Sequence, residues 1–161
     1  VEASGAPKGS LYHYFPAGKL SIAEAAVEEA GRRVAETMRK LSLECGSAGA
    51  LLKAHARLLA GWMKQSGFRD GCPITTVLLE LAPLDRAVTD AGRKAYAARI
   101  AVMTEKLVLD GASPRKAERL AVLCVAALQG ALIQSRVERS GAPLLAAADE
   151  LADLLESRAL A

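Results

Sequence analysis

Apolar residues recur every three or four positions along most of this chain, and charged residues fill many of the positions between them. That spacing is typical of amphipathic α-helices, because it gathers one apolar stripe along each helix. Glycine and proline interrupt the stripes, which is where helices end and begin. No stretch reads as a strand. The pattern predicts an all-α fold with helices over residues 7–15, 19–43, 50–65, 73–81, 85–109, 114–139 and 144–159.

Two breaks in this pattern organise the chain. The run Gly46-Ser47-Ala48-Gly49 is the first clear linker, so we divide the chain into residues 1–44, a small N-terminal unit with a connecting helix, and residues 45–161, a larger helical body. Further on, Ser113 followed by Pro114 predicts a capped helix start, since serine caps helices and proline suits the first turn.

Composition and charge limit the partners only loosely. The chain has 161 residues, of which 52% are hydrophobic, and its net charge of +3 permits nucleic acid as a partner without requiring it. The cysteines Cys45, Cys72 and Cys124 are widely spaced and odd in number, which argues against a disulfide framework or a zinc site and favours a cytoplasmic setting. No signal peptide and no apolar run of about 18 residues is visible, so we expect no membrane partner.

Half of the scarce tyrosine, phenylalanine and tryptophan residues lie in one opening stretch, "GAPKGSLYHYF", from Gly5 to Phe15. A helix end, a tight turn and a second short helix form the outline of a helix-turn-helix, whose second helix enters the major groove of DNA. There, small residues let the backbone approach DNA, and hydrogen-bonding side chains reach phosphates and base edges. We assign these DNA-binding roles to Lys8, Gly9, Ser10, Tyr12 and His13.

The segment "SGAPKGSLYHYFPAGK" resembles the recognition helix of TetR-family transcriptional regulators, and "DGCPITTVLLELAP" resembles the LmrA/YxaF-like subgroup of that family. The resemblance implies a homodimeric repressor that binds palindromic, double-stranded operator DNA and releases it when a small apolar or drug-like inducer fills the helical body. It also implies that Lys19 binds a phosphate at the N-terminal end of the long helix, where the helix dipole favours an anion. No cofactor or metal is expected.

The segment departs from the family pattern in three ways. Pro7 stands where the family often has a serine or threonine cap, and Lys19 falls one residue later than in the commonest pattern. The first helix and most of the second helix of the family's DNA-binding unit have no counterpart in the printed sequence. We therefore expect further residues before Val1 in the natural protein.

The last two predicted helices are too apolar for a single buried stripe in a monomer. Two such helices from each of two chains would form an intermolecular four-helix bundle. The alternative is a monomer whose core is rich in alanine and leucine. We expect the interface to contain Leu120, Leu123, Cys124, Ala127, Leu128, Ala131, Leu144, Ala148, Leu151 and Leu155.

An inducer site should be an apolar pocket with a few polar groups. Plain core packing is the alternative for Trp62, and His55 on the same stripe is more typical of a hydrogen-bonded core histidine. Glu80 could meet a cationic ligand or pair with an arginine such as Arg99. The candidate pocket residues are Trp62, Met63, Phe68, Thr75, Thr76, Leu79, Glu80, Tyr96, Ile100, Met103 and Gln129.

Three other functions compete with a DNA-binding regulator. Cys72 lies at a predicted helix start, where a thiolate is stabilised and could sense oxidants or electrophiles. A helical ligand-binding and dimerisation module without DNA binding fits the same body. An enzyme is not predicted, since the sequence shows no paired carboxylates with a plausible base, no metal-ligand spacing and no glycine-rich phosphate loop.

Overall fold

The computed structural model describes Phe15 and residues 18–158, and every regular element in this part of the chain is an α-helix. The predicted all-α fold is confirmed, and the predicted bounds of these helices are correct to within two residues. The six described helices are α1 (Lys19–Glu44), α2 (Ala48–Gln65), α3 (Pro73–Leu81), α4 (Arg86–Leu109), α5 (Pro114–Glu138) and α6 (Ala142–Arg158).

Local signals at the helix starts explain part of this agreement. The hydroxyl of Ser47 accepts a hydrogen bond from the backbone N–H of Ala50 at the start of α2, and the carboxylate of Asp85 caps α4 in the same way. Such caps satisfy backbone donors that a helix leaves unpaired. Ser113 differs from expectation: α5 begins at Pro114 as predicted, but the Ser113 side chain makes no capping hydrogen bond.

The helices pack as neighbouring pairs around one main core. Helix α1 lies along α4, α2 lies along α6, and α5 packs against both α4 and α6. Leu51, Leu52, Met103, Leu107 and Leu144 are among the fully buried side chains of this core. The short helix α3 lies against α1 and α4, where a second, smaller apolar cluster forms.

Helices α1 and α4 approach closely at Gly31, which lies against Ala95. A Cβ atom added at Gly31 would lie 2.6 Å from the Cβ atom of Ala95 and 3.1 Å from its Cα atom. Neither atom can rotate away, because both belong to or adjoin the backbone. A residue larger than glycine would therefore have to push the two helices apart.

Hydrogen bonds connect the turn between α1 and α2 to the C-terminal end of α4. The Lys106 ammonium donates hydrogen bonds to the carbonyl oxygens of Cys45, at 2.6 Å, and Ser42, at 3.3 Å. The backbone N–H of Ala48 donates to the Asp110 carboxylate at 2.6 Å. These contacts hold the end of α1 against the helical body, while the domain boundary at residue 44 stays a prediction.

Candidate ligand-binding site

A cavity of about 180 Å³ lies where α1, α2, α4 and α5 meet the loop before α3. Because Trp62, Asp70 and Pro73 line it and are also exposed to solvent, the cavity reaches the surface between the end of α2 and the start of α3. Most of its lining is apolar. The lining residues are Val34, Met38, Leu52, His55, Leu59, Trp62, Met63, Asp70, Gly71, Cys72, Pro73, Arg99, Met103, Cys124, Val125, Leu128, Gln129 and Leu132.

Arg99 is the one arginine or lysine among the residues that line this cavity. The residue lies in the middle of α4, and only 4% of its surface is exposed. Its Nε and Nη2 atoms are buried and make no hydrogen bond, and its Cζ atom lies 4.9 Å from the centre of the Tyr96 ring. Burying an arginine without pairing its donors is costly, so Arg99 is the feature of the cavity that most needs an explanation.

Three polar side chains meet at the start of α3. The Thr75 hydroxyl donates a 3.0 Å hydrogen bond to the Gln129 side-chain oxygen, and the Gln129 amide lies 3.8 Å from the Cys72 sulfur. Burial alone would raise the pKa of the Cys72 thiol. Hydrogen bonds from Thr75 and Gln129, together with the positive charge of Arg99, outweigh that effect and hold the pKa below its usual value.

His55 is another buried titratable residue of the lining. Burial, followed by the positive charge of Arg99, lowers the pKa of His55 to about 4. The imidazole is therefore neutral near pH 7 and adds no second positive charge to the cavity. Of the two groups, only Arg99 carries a charge.

The predicted pocket residues divide between the cavity and other places. Trp62, Met63, Met103 and Gln129 line the cavity. The other predicted residues do not: Phe68 and Ile100 pack against the main core, Thr75 contacts Gln129, Tyr96 lies beside Arg99, and the remaining three, Thr76, Leu79 and Glu80, are exposed to solvent.

Glu80 requires a correction. The sequence allowed it to meet a cationic ligand or to pair with Arg99, but its side chain lies on the exposed face of α3. A helix of nine residues buries little more than one stripe, and here Ile74 occupies the buried position. In the described part of the chain Glu80 makes no ion pair with Arg99 and does not line the cavity.

Most of the residues predicted to form the dimer interface on α5 and α6 are not exposed on the single chain. Of the ten predicted residues Leu123 is exposed and Leu120, Ala127 and Leu151 are partly buried. The other six need correction, because the chain's own main core already covers their side chains; they are Cys124, Leu128, Ala131, Leu144, Ala148 and Leu155.

A different stripe of α5 is apolar and open to solvent. It consists of Val122, Ala126, Gly130, Ile133 and Val137, spaced three or four residues apart and all exposed. We call these five residues the outer stripe of α5. Nothing lies within 4 Å of a Cβ atom placed at Gly130, so the stripe leaves room for another helix to approach the backbone.

By length and composition alone, α5 is also long and apolar enough to cross a membrane. One window of 18 residues within Pro114–Glu138 has a mean hydropathy of 1.6 and is 33% buried. A core helix of a soluble protein gives the same result, so this single helix is a weak indication of a membrane segment.

A comparison with protein families identifies the helical body. The family model described as "Transcriptional regulator LmrA/YxaF-like, C-terminal domain" matches residues 48–150, which include α2 to α5 and most of the cavity lining. The chain belongs to the TetR family of transcriptional regulators. The resemblance found in the two sequence motifs is thereby confirmed.

Relatives named as HTH-type transcriptional regulators align with nearly the whole chain. It is 32% identical over 160 residues to the uncharacterized HTH-type transcriptional regulator Rv0196 of Mycobacterium tuberculosis, an alignment that covers 96% of this chain and 80% of the relative. It is 27% identical to the HTH-type transcriptional regulator LmrA of Bacillus subtilis, with 97% and 83% covered. It is also 27% identical to YxaF of the same organism, with 98% and 83% covered.

The structure describes only one of the residues that the sequence predicts to bind DNA. Lys8, Gly9, Ser10, Tyr12 and His13 lie outside the described residues. Lys19 is the first residue of α1, and its side chain is exposed. Its position at a helix N-terminus is compatible with a phosphate contact, which stays a prediction. Among the described residues, no group of three or more histidine, cysteine or acidic side chains could hold a metal ion.

Proposed function

We propose that this TetR-family chain is a cytoplasmic, homodimeric repressor that binds a palindromic operator and releases it when a small molecule occupies the cavity. One observation carries the proposal: the cavity borders α1, the helix that begins at Lys19 directly after the segment resembling a recognition helix. A ligand in the body would therefore touch the element that leads to the DNA-binding unit.

The packing of α1 offers a physical route for this coupling. Val34 and Met38 of α1 line the cavity together with Arg99 and Met103 of α4. A ligand shifts an equilibrium only if it binds two arrangements with different affinity. A ligand held between α1 and α4 meets that condition if the two helices separate or slide. In a dimer, such a movement changes the distance between the two recognition helices, which must lie about one DNA turn apart.

DNA binding by the full-length protein is the direct test. We expect fluorescence anisotropy to show salt-dependent binding to labelled DNA from the promoter of its own gene. Tyr12→Ala should lose affinity, and Lys8→Ala should lose affinity with a salt slope reduced by about one. Lys64→Ala removes the same charge from an exposed position on α2 and should change little.

Two results would contradict the proposal. Tyr12→Ala and Lys8→Ala variants that bind as tightly as the wild type would exclude the assigned DNA contacts. A folded full-length protein that binds no promoter DNA would favour the alternative of a ligand-binding and dimerisation module.

Cys72 favours one second candidate function, a regulator that responds to electrophiles or oxidants. Its lowered pKa increases the thiolate fraction, and its side chain is only partly buried. Cys124 is an internal control, because burial raises the pKa of its thiol to about 11. At neutral pH we expect iodoacetamide to alkylate Cys72 at least about tenfold faster than Cys124, as measured by peptide mass spectrometry. Equal rates would exclude a sensor at Cys72.

A further inference from the structure

The buried guanidinium of Arg99 lacks a counterion within the described chain. Arginine stays protonated at any physiological pH, so Arg99 cannot shed its charge on burial. The ion pairs of Arg32, Arg33, Lys53, Arg86, Arg93 and Lys94 do not include Arg99. Asp70 is the acidic residue of the cavity lining, and it is exposed and unpaired with Arg99.

The two unpaired nitrogens of Arg99 lie on one edge of the guanidinium. Nε and Nη2 carry nearly parallel N–H bonds, and this edge fits the two oxygens of a carboxylate in a bidentate pair. The neighbouring side chains cover both nitrogens without accepting a hydrogen bond from them, and the Cζ atom lies over the Tyr96 ring, 4.9 Å from its centre. The arrangement is that of a carboxylate-binding group without its carboxylate.

The remaining walls restrict what could carry that carboxylate. Leu52, Leu59, Met63, Met103 and Leu128 are among the apolar residues that line the space beside Arg99. A second negative charge would meet these side chains without compensation. An apolar cavity of about 150 Å³ holds one benzene ring, so about 180 Å³ has room for a substituted ring or a chain of about eight carbons.

We propose that the cavity binds a small apolar monocarboxylic acid, whose carboxylate pairs with the Arg99 guanidinium and whose hydrocarbon part packs against the apolar walls. This inference rests on the proposed function, because it names the ligand class of the same regulatory cavity. It reverses the charge considered from the sequence, where Glu80 suggested a cationic ligand. Large thioesters that carry several phosphates are too big for the cavity, so we exclude them as ligands.

The test compares matched acids and alcohols on the full-length protein. Isothermal titration calorimetry with 4-ethylbenzoate, 3-phenylpropanoate and octanoate should give at least one acid that binds tenfold or more tightly than the alcohol of the same skeleton. A tenfold difference corresponds to about 1.4 kcal/mol. Binding of no acid at millimolar concentration, or equal binding of acid and alcohol, would overturn the inference.

Two variants locate the effect at Arg99. Arg99→Met keeps the length of the side chain and should remove the preference for the acid, while Arg99→Lys should keep part of it. Because an apolar residue replaces an unpaired buried charge, we expect Arg99→Met also to raise the melting temperature of the ligand-free protein. If Arg99→Met keeps the full preference for the acid, the carboxylate binds elsewhere and the inference is overturned.

Operator release separates this inference from the proposed function. An acid that binds through Arg99 but leaves promoter affinity unchanged supports the site and contradicts the regulatory role. Release of promoter DNA by neutral compounds, with no acid bound, supports the regulatory role and contradicts the acid class.

Discussion

Arg99 and His55 line the same cavity and are buried to nearly the same degree, with 4% and 6% of their surfaces exposed. Their charges differ because their chemistry differs. Arginine holds its proton under any burial found in proteins, whereas histidine titrates close to neutral pH and responds to its surroundings. Burial and, to a smaller extent, the positive charge of Arg99 keep His55 neutral, so of these two buried groups only Arg99 is charged.

His55 makes the stability of the protein depend on pH. Its pKa is about 4 in the folded state, against an ordinary value of 6.5. Below pH 6.5 His55 becomes protonated in the unfolded chain but stays neutral in the folded chain. The contribution of His55 to the free energy of unfolding is therefore complete above pH 6.5 and falls as the pH approaches 4. Between about pH 7 and about pH 5 we expect the wild type to lose on the order of 2 kcal/mol through this group.

Urea denaturation at both pH values checks this loss. His55→Gln cannot gain the proton, so its stability should change less over the same interval, while all other groups titrate alike in both proteins. A parallel decline in the two proteins would mean that the surroundings of His55 do not resist protonation.

The apolar stripes of the helices were easier to recognise in the sequence than the cavity was. Arg99 already interrupts an apolar stripe of α4 in the sequence, and a charge in such a position was the available signal for a site. The sequence could not show that Arg99 marks a site, because hydrophobic periodicity does not reveal whether an arginine has an acidic partner in the folded protein. Glu80 gave the opposite error: it breaks an apolar run, yet it simply faces solvent.

At the scale of helices, periodicity and breakers predicted the bounds of all six described elements to within two residues. Long amphipathic segments bounded by glycine and proline leave few alternatives. The contact between elements was not predictable in the same way. Gly31 lies inside α1, where glycine is unfavourable for a helix by about 1 kcal/mol, and only the packing of α4 explains it.

Gly31→Ala tests how tightly α1 and α4 are packed. The added methyl group would lie 2.6 Å from the Ala95 Cβ atom, so the helices must separate. We expect the free energy of unfolding to fall by roughly 1–3 kcal/mol, because overpacking outweighs the gain in helix propensity. Gly61→Ala is the matched control, since Gly61 lies inside α2 with nothing within 4 Å of the added atom.

Chemical denaturation of both variants gives the answer. Gly61→Ala should be as stable as the wild type or more stable by up to about 1 kcal/mol. If Gly31→Ala gains stability to the same degree, the α1–α4 contact is loose, and the proposed coupling through α1 loses its physical basis.

At the scale of the whole molecule, the apolar surface of α5 has two separate uses. One side supplies Cys124, Leu128 and Leu132 to the main core, and the outer stripe remains uncovered in the single chain. The sequence showed that α5 is apolar on more than one side, but it could not say which side the chain itself covers. This is why the predicted interface included residues that are in fact buried.

The outer stripe of α5 makes dimer formation testable with one substitution. Ile133 is 49% exposed in the single chain, and in a four-helix bundle it would be buried against the partner. Ile133→Glu would place a charge in that contact, so we expect sedimentation velocity to show self-association weakened by roughly a hundredfold, or about 2.8 kcal/mol. Promoter affinity should fall with it, because two recognition helices bind more tightly than one.

Leu84→Glu separates an interface effect from the effect of any added charge. Leu84 is 83% exposed and lies between α3 and α4, outside α5 and its outer stripe, so this variant should stay as dimeric as the wild type. Since Ile133 points away from the main core, both variants should also keep the wild-type melting curve once dimer dissociation is taken into account. A wild type that sediments as a monomer, or an Ile133→Glu variant that remains a dimer, would exclude the outer stripe as the contact and with it the proposed spacing of the recognition helices.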